Sequence, residues 1–269
     1  MNSTTQQPDW DRIAEKFDLW LPHLAPVGEA LLSALPVEPG DQILDVASGT
    51  GEPALTLARR NPHALITGID AAPGMVKVAQ NKVHNERLSN ISFSAMPAEQ
   101  MEFADNSFDN LICRFGVMLF ADSLQGLKEM QRVLKPNGHF ALAVWSTAET
   151  MTTMHWAHRV FKHRLREEDQ PALAKVTSLG NPGILEALLQ QAGFHHFTVE
   201  RKQFDYRFNS FDEYWQIIEA SDIMKQQFDA LPPEQRHEVH DEVARFASDF
   251  HTENGLIIPH EYLLASGHK

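Results

Sequence analysis

The 269-residue chain has one cysteine, no excess of positive charge, and no run of the ~20 apolar residues that would span a bilayer. Each absence closes off a class. Cys113 alone permits no disulfide within the chain and no thiolate metal cluster. Flanked by Leu111 and Ile112, it reads as a buried core thiol. With 23 Lys and Arg against 36 Asp and Glu, the net charge is −13. That opposes a nucleic-acid binder, which needs a basic stripe to track phosphates. The start, MNSTTQQPDWDR, has no apolar signal core, so a cytoplasmic protein is expected. Internal repeats and low-complexity segments are also missing.

What is present is an ordinary globular composition, 43% apolar and 22% charged, enough for one large domain or two small ones. Residues 10–35 read as helices, with Ile13, Phe17 and Trp20 on one face. QILDVAS then predicts a buried strand, and Pro53 stands near the first turn of the helix that follows. ALITGID, ISFSAM, FDNLICRFGV and HFALAVWS predict further strands. Helical patterns separate them, through Met75, Val78, Ala79 and Val83, and through Leu127, Met130 and Leu134. KPNG reads as a tight turn before the last of these strands. This alternation predicts an α/β fold with a helix-flanked, parallel sheet.

After Trp145 the rhythm changes. Residues 150–180 read as a lid insertion, 181–208 as a helix and strand of the core, and 209–252 as a helical lid opened by a capping box at Ser210–Glu213. Residues 253–269 would return as the final strand or strand pair. An N-terminal helical cap (1–38) and a nucleotide-binding core (39–149) complete the division.

The chemistry centres on LDVASGTGEPAL, residues 44–55. A nucleoside triphosphate loop would need a lysine after Gly51, and none follows. A dinucleotide would set its pyrophosphate against the helix start, where Asp45 and Glu52 oppose its charge. S-adenosylmethionine has no phosphate and carries a sulfonium and an ammonium, so an acid there becomes favourable. Asp70 ends the next strand, at the sheet edge where ligands of open α/β folds lie, and is placed to accept from a ribose.

LDVASGTG, GID, AEQMEFADNSFDNLICRFG and EMQRVLKPNGHFALAVW together resemble the class I, seven-stranded, S-adenosylmethionine-dependent methyltransferases. Within these, the chain is most similar to the small-molecule branch that includes ubiquinone and menaquinone C-methyltransferases and natural-product enzymes. The resemblance spans residues 40–146. It implies a Rossmann-like, seven-stranded, mostly parallel sheet with helices on both faces and a largely helical lid. It further implies that Asp45, Ala47, Ser48, Gly49, Gly51 and Pro53 surround the methionine end of the cofactor. Asp70 would clasp the ribose, Ala71 and Met75 would flank the adenine, and Pro97, Ala98 and Glu99 would meet the adenine ring. Arg114 and Phe115 would border the methionine and the transferred methyl, and Phe17 and Trp20 would close over the cofactor. S-adenosylhomocysteine would be the product.

Two positions depart from the family pattern. Ala47 replaces a glycine, which is tolerable if its φ is negative. Pro97 stands where an Asp often holds the adenine amino group, which shifts that recognition to backbone groups or Glu99. Met118, Trp145, Met151, His155, Tyr214, Trp215 and Ile218 are candidates to line the acceptor pocket, for a flat or apolar small molecule. Each also reads as lid core. His155 and His23 are candidates for a base. His155 and His158 lack a third ligand, so no metal is expected. Nucleic-acid methylation is disfavoured by the charge and by Arg114–Val117 standing where an Asn/Asp-Pro-Pro-Tyr motif would be. The partner would be a small acceptor, on a monomer or homodimer. The alternatives are a quinone-precursor C-methyltransferase, an NAD(P)-dependent oxidoreductase, and a non-catalytic S-adenosylmethionine-binding protein.

Overall fold

A computed structural model describes residues 9–171, 173–221 and 224–269. Residues 1–8 of the expected cap, 172 of the first lid segment and 222–223 of the second lie outside these. Helix α1 (Trp10–Phe17) leads through a single tight turn (Asp18–Trp20) into α2 (Leu21–Ser33). The alternation follows as β1 (Gln42–Val46), α3 (Ala54–Arg60), β2 (Leu65–Asp70), α4 (Pro73–Glu86), β3 (Ile91–Ala95), β4 (Phe108–Arg114), α5 (Ser123–Val133) and β5 (Leu134–Trp145). Next come α6 (Thr152–Phe161), α7 (Leu173–Val176), α8 (Ile184–Gln191) and β6 (His196–Phe208). The chain ends with α9 (Phe211–Ala220), α10 (Lys225–Asp229), α11 (Pro233–Ser248), β7 (His251–Thr252) and β8 (Gly255–His268).

The sheet order is β3-β2-β1-β4-β5-β8-β6. The first five strands pair in parallel, and β8 runs antiparallel between β5 and β6. This matches the expected seven-stranded sheet, and the two-residue β7 adds an eighth strand as a hairpin onto β8. The central strands are apolar on both faces because helices cover both. Ile43, Leu44, Leu111, Ile112 and Cys113 are fully buried. Each such aliphatic side chain contributes about 1.5–3 kcal/mol of burial. Burial also pushes the Cys113 thiol up to about 12, so it is the inert core group expected.

Two local expectations need correction. Leu134 is the first residue of β5 and pairs with Phe108, and does not belong to α5. The KPNG segment is consequently an irregularity inside β5: pairing with β4 resumes at His139, and Asn137 takes a positive φ of 63°. The turn residues are real, but the strand begins before them. Among the described residues, no helix is long and apolar enough to cross a membrane.

Candidate functional site

β1 lies between β2 and β4, so the strand order reverses direction there and leaves a crevice at the carboxyl ends of β1 and β4. The chain leaves β1 through Ala47, Ser48, Gly49, Thr50 and Gly51. Gly49 and Gly51 take φ of +54° and +106°, and a Cβ on Gly51 would stand 2.8 Å from Leu55. Only glycine suits such a turn. Ala47 also takes a positive φ, 57°, contrary to the negative value expected. Its methyl is accepted because Gly116 leaves space: a Cβ there would sit 2.5 Å from the Ala47 Cβ. Pro53 stands immediately before α3.

The two acids flanking the loop behave differently. Glu52 accepts from the Thr56 N–H at 3.1 Å and from Arg59 Nη1 at 2.9 Å, so its charge is spent on α3. Asp45 is 1% exposed, and neither of its carboxylate oxygens has a hydrogen-bond partner. Burial raises its carboxyl to about 8, Arg114 opposes this, and Asp70 and Glu52 reinforce it. The Ser48 hydroxyl, buried three residues further along the chain, is equally without a partner. Asp70 accepts from the Gly49 N–H at 2.8 Å and from the Ala72 N–H at 2.9 Å, and burial raises its carboxyl too. Each of its oxygens keeps a lone pair for a further donor. An orphaned buried carboxyl behind a glycine turn suits a cationic nucleoside, which favours its ionised form, whereas a pyrophosphate would hold it neutral.

The N-terminal segment straps this loop. Phe17 lies against Gly49, whose added Cβ would be 3.9 Å from its ring. Asp18 accepts from Thr50 Oγ1 at 2.5 Å and pairs with Lys82 Nζ at 2.6 Å, while Lys82 also reaches the Thr50 carbonyl at 2.9 Å. Asp11 accepts from the Gly74 N–H. Sequence reasoning missed Asp18 and Lys82, since no motif links residues on such distant elements. Met75 is buried with Ile13 and Ala14 under α1, and Ala71 is exposed. Ala98 is buried, Pro97 exposed, and Glu99 accepts from the Ala121 N–H at 2.7 Å.

On the far side of Arg114 the walls are aromatic. Phe115 stacks on Trp145 with ring centres 3.9 Å apart, and Trp145 continues to Phe204 at 5.8 Å. Trp20 and His23 meet Tyr206 at 5.8 and 5.9 Å, so Trp20 belongs to this cluster as well as to the strap. The Trp20 indole N–H is buried without a partner. Burial pulls the His23 pKa down, against Glu213 and an Arg207 backbone hydrogen bond that raise it. Met118 and Met151 are buried in the same core.

The other candidates separate. Tyr214 contacts Phe208 and Trp156. Trp215 and Ile218 line an open cleft of about 640 Å³ in the lid, with Phe228 and His240. His155, half-buried on α6, lies in electrostatic range of Glu149 and His158. His260 was not foreseen. It is buried, lowered to about 4 by burial, and takes part in a hydrogen bond with Thr153 Oγ1 at 2.9 Å. Nor was Glu261, which binds Ser146 and Arg201, both at 2.7 Å. Both hide in the apolar alternation of β8. Among the described residues no group could hold a metal ion.

Comparison with known proteins bears on the fold and the family. Over 125 residues the chain is 42% identical to a ubiquinone/menaquinone biosynthesis C-methyltransferase, UbiE, of Geotalea daltonii, covering 46% of this chain and 53% of that one. The chain thus spans about half the length of that curated relative. In structure it is similar to phosphoethanolamine N-methyltransferase 2 of Haemonchus contortus, in complex with S-adenosylhomocysteine, at a TM-score of 0.60 and 17% identity, covering 94% and 56% of the two chains. It is also similar to the [4+2]-cyclase SpnF, at 0.56 and 18%, covering 97% of each chain. At these identities the likenesses show the fold. The family model of the methyltransferase domain matches residues 37–193, more than half of the sequence, and the chain belongs to that family.

Proposed function

We propose that this protein transfers a methyl group from S-adenosylmethionine to an N, O or C atom of a small, flat or apolar molecule. The observation that carries the reading is Asp45, a buried carboxylate with both oxygens unpartnered behind a glycine turn. The cofactor would supply a methyl made electrophilic by the sulfonium. Asp70 would accept from the ribose while its bonds to Gly49 and Ala72 hold it at the strand end. Ala71, Met75, Pro97, Ala98 and Glu99 would surround the adenine, with backbone groups leading, since Glu99 is engaged with residue 121.

The Phe115–Trp145 stack would present a flat wall to the acceptor, and alignment of donor and acceptor would provide much of the acceleration. His23 is the better candidate base of the two histidines, because burial keeps its imidazole neutral beside Tyr206 and Phe208. The acidic surface supports a small acceptor and no nucleic acid. A cytoplasmic monomer or homodimer suits this chemistry. Quinone-precursor C-methylation is the second reading, favoured by the relative's identity of 42%, which is confined to a 125-residue stretch.

The protein incubated with methyl-labelled S-adenosylmethionine and cell extract should yield a labelled small product, identified by mass spectrometry. Asp70→Ala should weaken S-adenosylhomocysteine binding by about 100-fold in calorimetry, on the scale of two lost charge-assisted hydrogen bonds. Nicotinamide binding in place of S-adenosylhomocysteine would establish the oxidoreductase reading. Cofactor binding with no labelled product from any extract would leave a non-catalytic binder.

A further inference from the structure

His260 lies within β8, 1% exposed, and both of its ring nitrogens are engaged. Nδ1 faces the Ile258 carbonyl at 3.1 Å, an oxygen that can only accept, so Nδ1 carries the proton. Nε2 is therefore a bare acceptor. It takes a hydrogen bond from the Thr153 hydroxyl at 2.9 Å and a longer one from the Thr153 N–H at 3.3 Å. With its lone pair spent inside the protein, this imidazole is not available as a base toward an acceptor.

Thr153 is the second residue of α6, so its N–H is one of the donors that a helix start leaves without an intrahelical acceptor. A side chain at the N-cap ordinarily accepts it, yet Met151 stands at that place and makes no such bond. His260 supplies the acceptor from a strand 107 residues along the chain. Thr152 Oγ1 donates to the Pro259 carbonyl at 2.6 Å, and the backbones of Met151 and His260 form an isolated antiparallel bridge. The same ring meets Tyr206 at 4.1 Å, Phe204 at 5.9 Å and Trp145 at 6.1 Å, and Trp145 is the residue that stacks on Phe115.

We propose that His260 is a positioning residue: as a neutral imidazole it seats the first turn of α6 against the aromatic wall that receives the acceptor. The wall's role rests on the methyl-transfer reading above; the seat of α6 does not. Protonation would turn Nε2 into a donor facing the Thr153 N–H and would set a positive charge at the positive end of a helix. The surroundings hold the neutral form. From β6 the ring is faced by Tyr206, whose phenol burial also keeps protonated, and by Phe204; Trp145 faces it from β5 and Thr153 from α6. Asp205 and Glu261, the charged neighbours along β6 and β8, fall on the opposite face by strand alternation. Burial lowers the imidazole from 6.5 to about 4, opposed by the Ile258 bond.

Nitrogen NMR of the whole protein labelled at histidine should show an imidazole with its proton on Nδ1 that is still neutral at about pH 5. His260→Gln should remove that signal, which assigns it. Amide hydrogen exchange with S-adenosylhomocysteine present tests the seat. His260→Phe keeps a ring without the acceptor, so the first turn of α6 should exchange about tenfold faster, the scale of a lost helix cap, with β1 to β4 unchanged. His260→Gln offers an amide oxygen in place of Nε2 and should restore protection to within about twofold of wild type. In the labelled-extract reaction, His260→Phe should need about tenfold more extract for half-maximal rate, while S-adenosylhomocysteine affinity stays within about twofold. A wild-type imidazole with its proton on Nε2 would overturn the proposal, whether or not any variant folds. So would His260→Phe whose α6 exchanges as wild type does, or whose half-saturation is unchanged. An extract that yields no labelled product with wild type defeats the methyl-transfer reading, and exchange and the imidazole spectrum then decide the seat by themselves.

Discussion

At Asp45, burial raises the carboxyl from an ordinary 3.8 to about 8, with Arg114 pulling it down and Asp70 and Glu52 pushing it up. The free protein at pH 7 therefore holds this group largely protonated. An ammonium placed beside it favours the ionised form, so binding at pH 7 should release close to one proton. Calorimetric titration with S-adenosylhomocysteine in buffers of different ionisation enthalpy reads that proton directly. Wild type should show a strong buffer dependence and Asp45→Asn almost none. The same shift has a sign in folding. Because the folded pKa is raised, the native state holds more protons than the unfolded one between about pH 4 and 8. Stability from this group falls as pH rises through that window. Asp45→Asn should accordingly unfold at a higher temperature than wild type at pH 8, and thermal unfolding at several pH values checks it.

Among the elements, α1 and the turn after it act as a strap with a polar hold on the glycine loop through Asp18, Thr50 and Lys82. The ion pair is partly exposed, at 23% and 37% for the two side chains, so its strength is modest and screened by salt. Lys82→Met removes the pair and the bond to the Thr50 carbonyl together. S-adenosylhomocysteine should then leave at least fivefold faster in stopped-flow, and the difference from wild type should shrink at high ionic strength. The resemblance implied an N-terminal cap through Phe17 and Trp20, but nothing in the sequence revealed this polar hold, because its residues sit in α4, the loop and the N-terminal turn with no shared pattern. The elements themselves were legible: strands buried on both faces print nearly unbroken apolar runs, and helices print their period. Backbone geometry was less so. Ala47 at positive φ violates the ordinary rule for alanine, and only its packing against Gly116 explains it.

On the proposed function, the molecule as a whole divides into a donor half written in motifs and an acceptor half written in packing. The family match ends at residue 193, before β6 and the helices α9 to α11. Those helices put aromatic residues against one another, as in the contact of Tyr214 with Phe208 and Trp156, and such spacing looks alike whether it lines a pocket or fills a core. Motifs thus single out the residues proposed for the cofactor, whereas the sequence could not separate Tyr214 from its neighbour Trp215, which turns to the lid cleft. If the division is functional, substitutions on the two sides should uncouple. Tyr214→Leu keeps most of the apolar volume and removes the ring that joins the lid to Phe208 and, through it, to His23. The KM for the labelled acceptor should rise at least tenfold, while S-adenosylhomocysteine affinity stays within twofold of wild type. Equal losses of both would mean that the lid supports the cofactor crevice itself. The acceptor would then be bound by the loop after β4, where Phe115 and Met118 are the next residues to substitute.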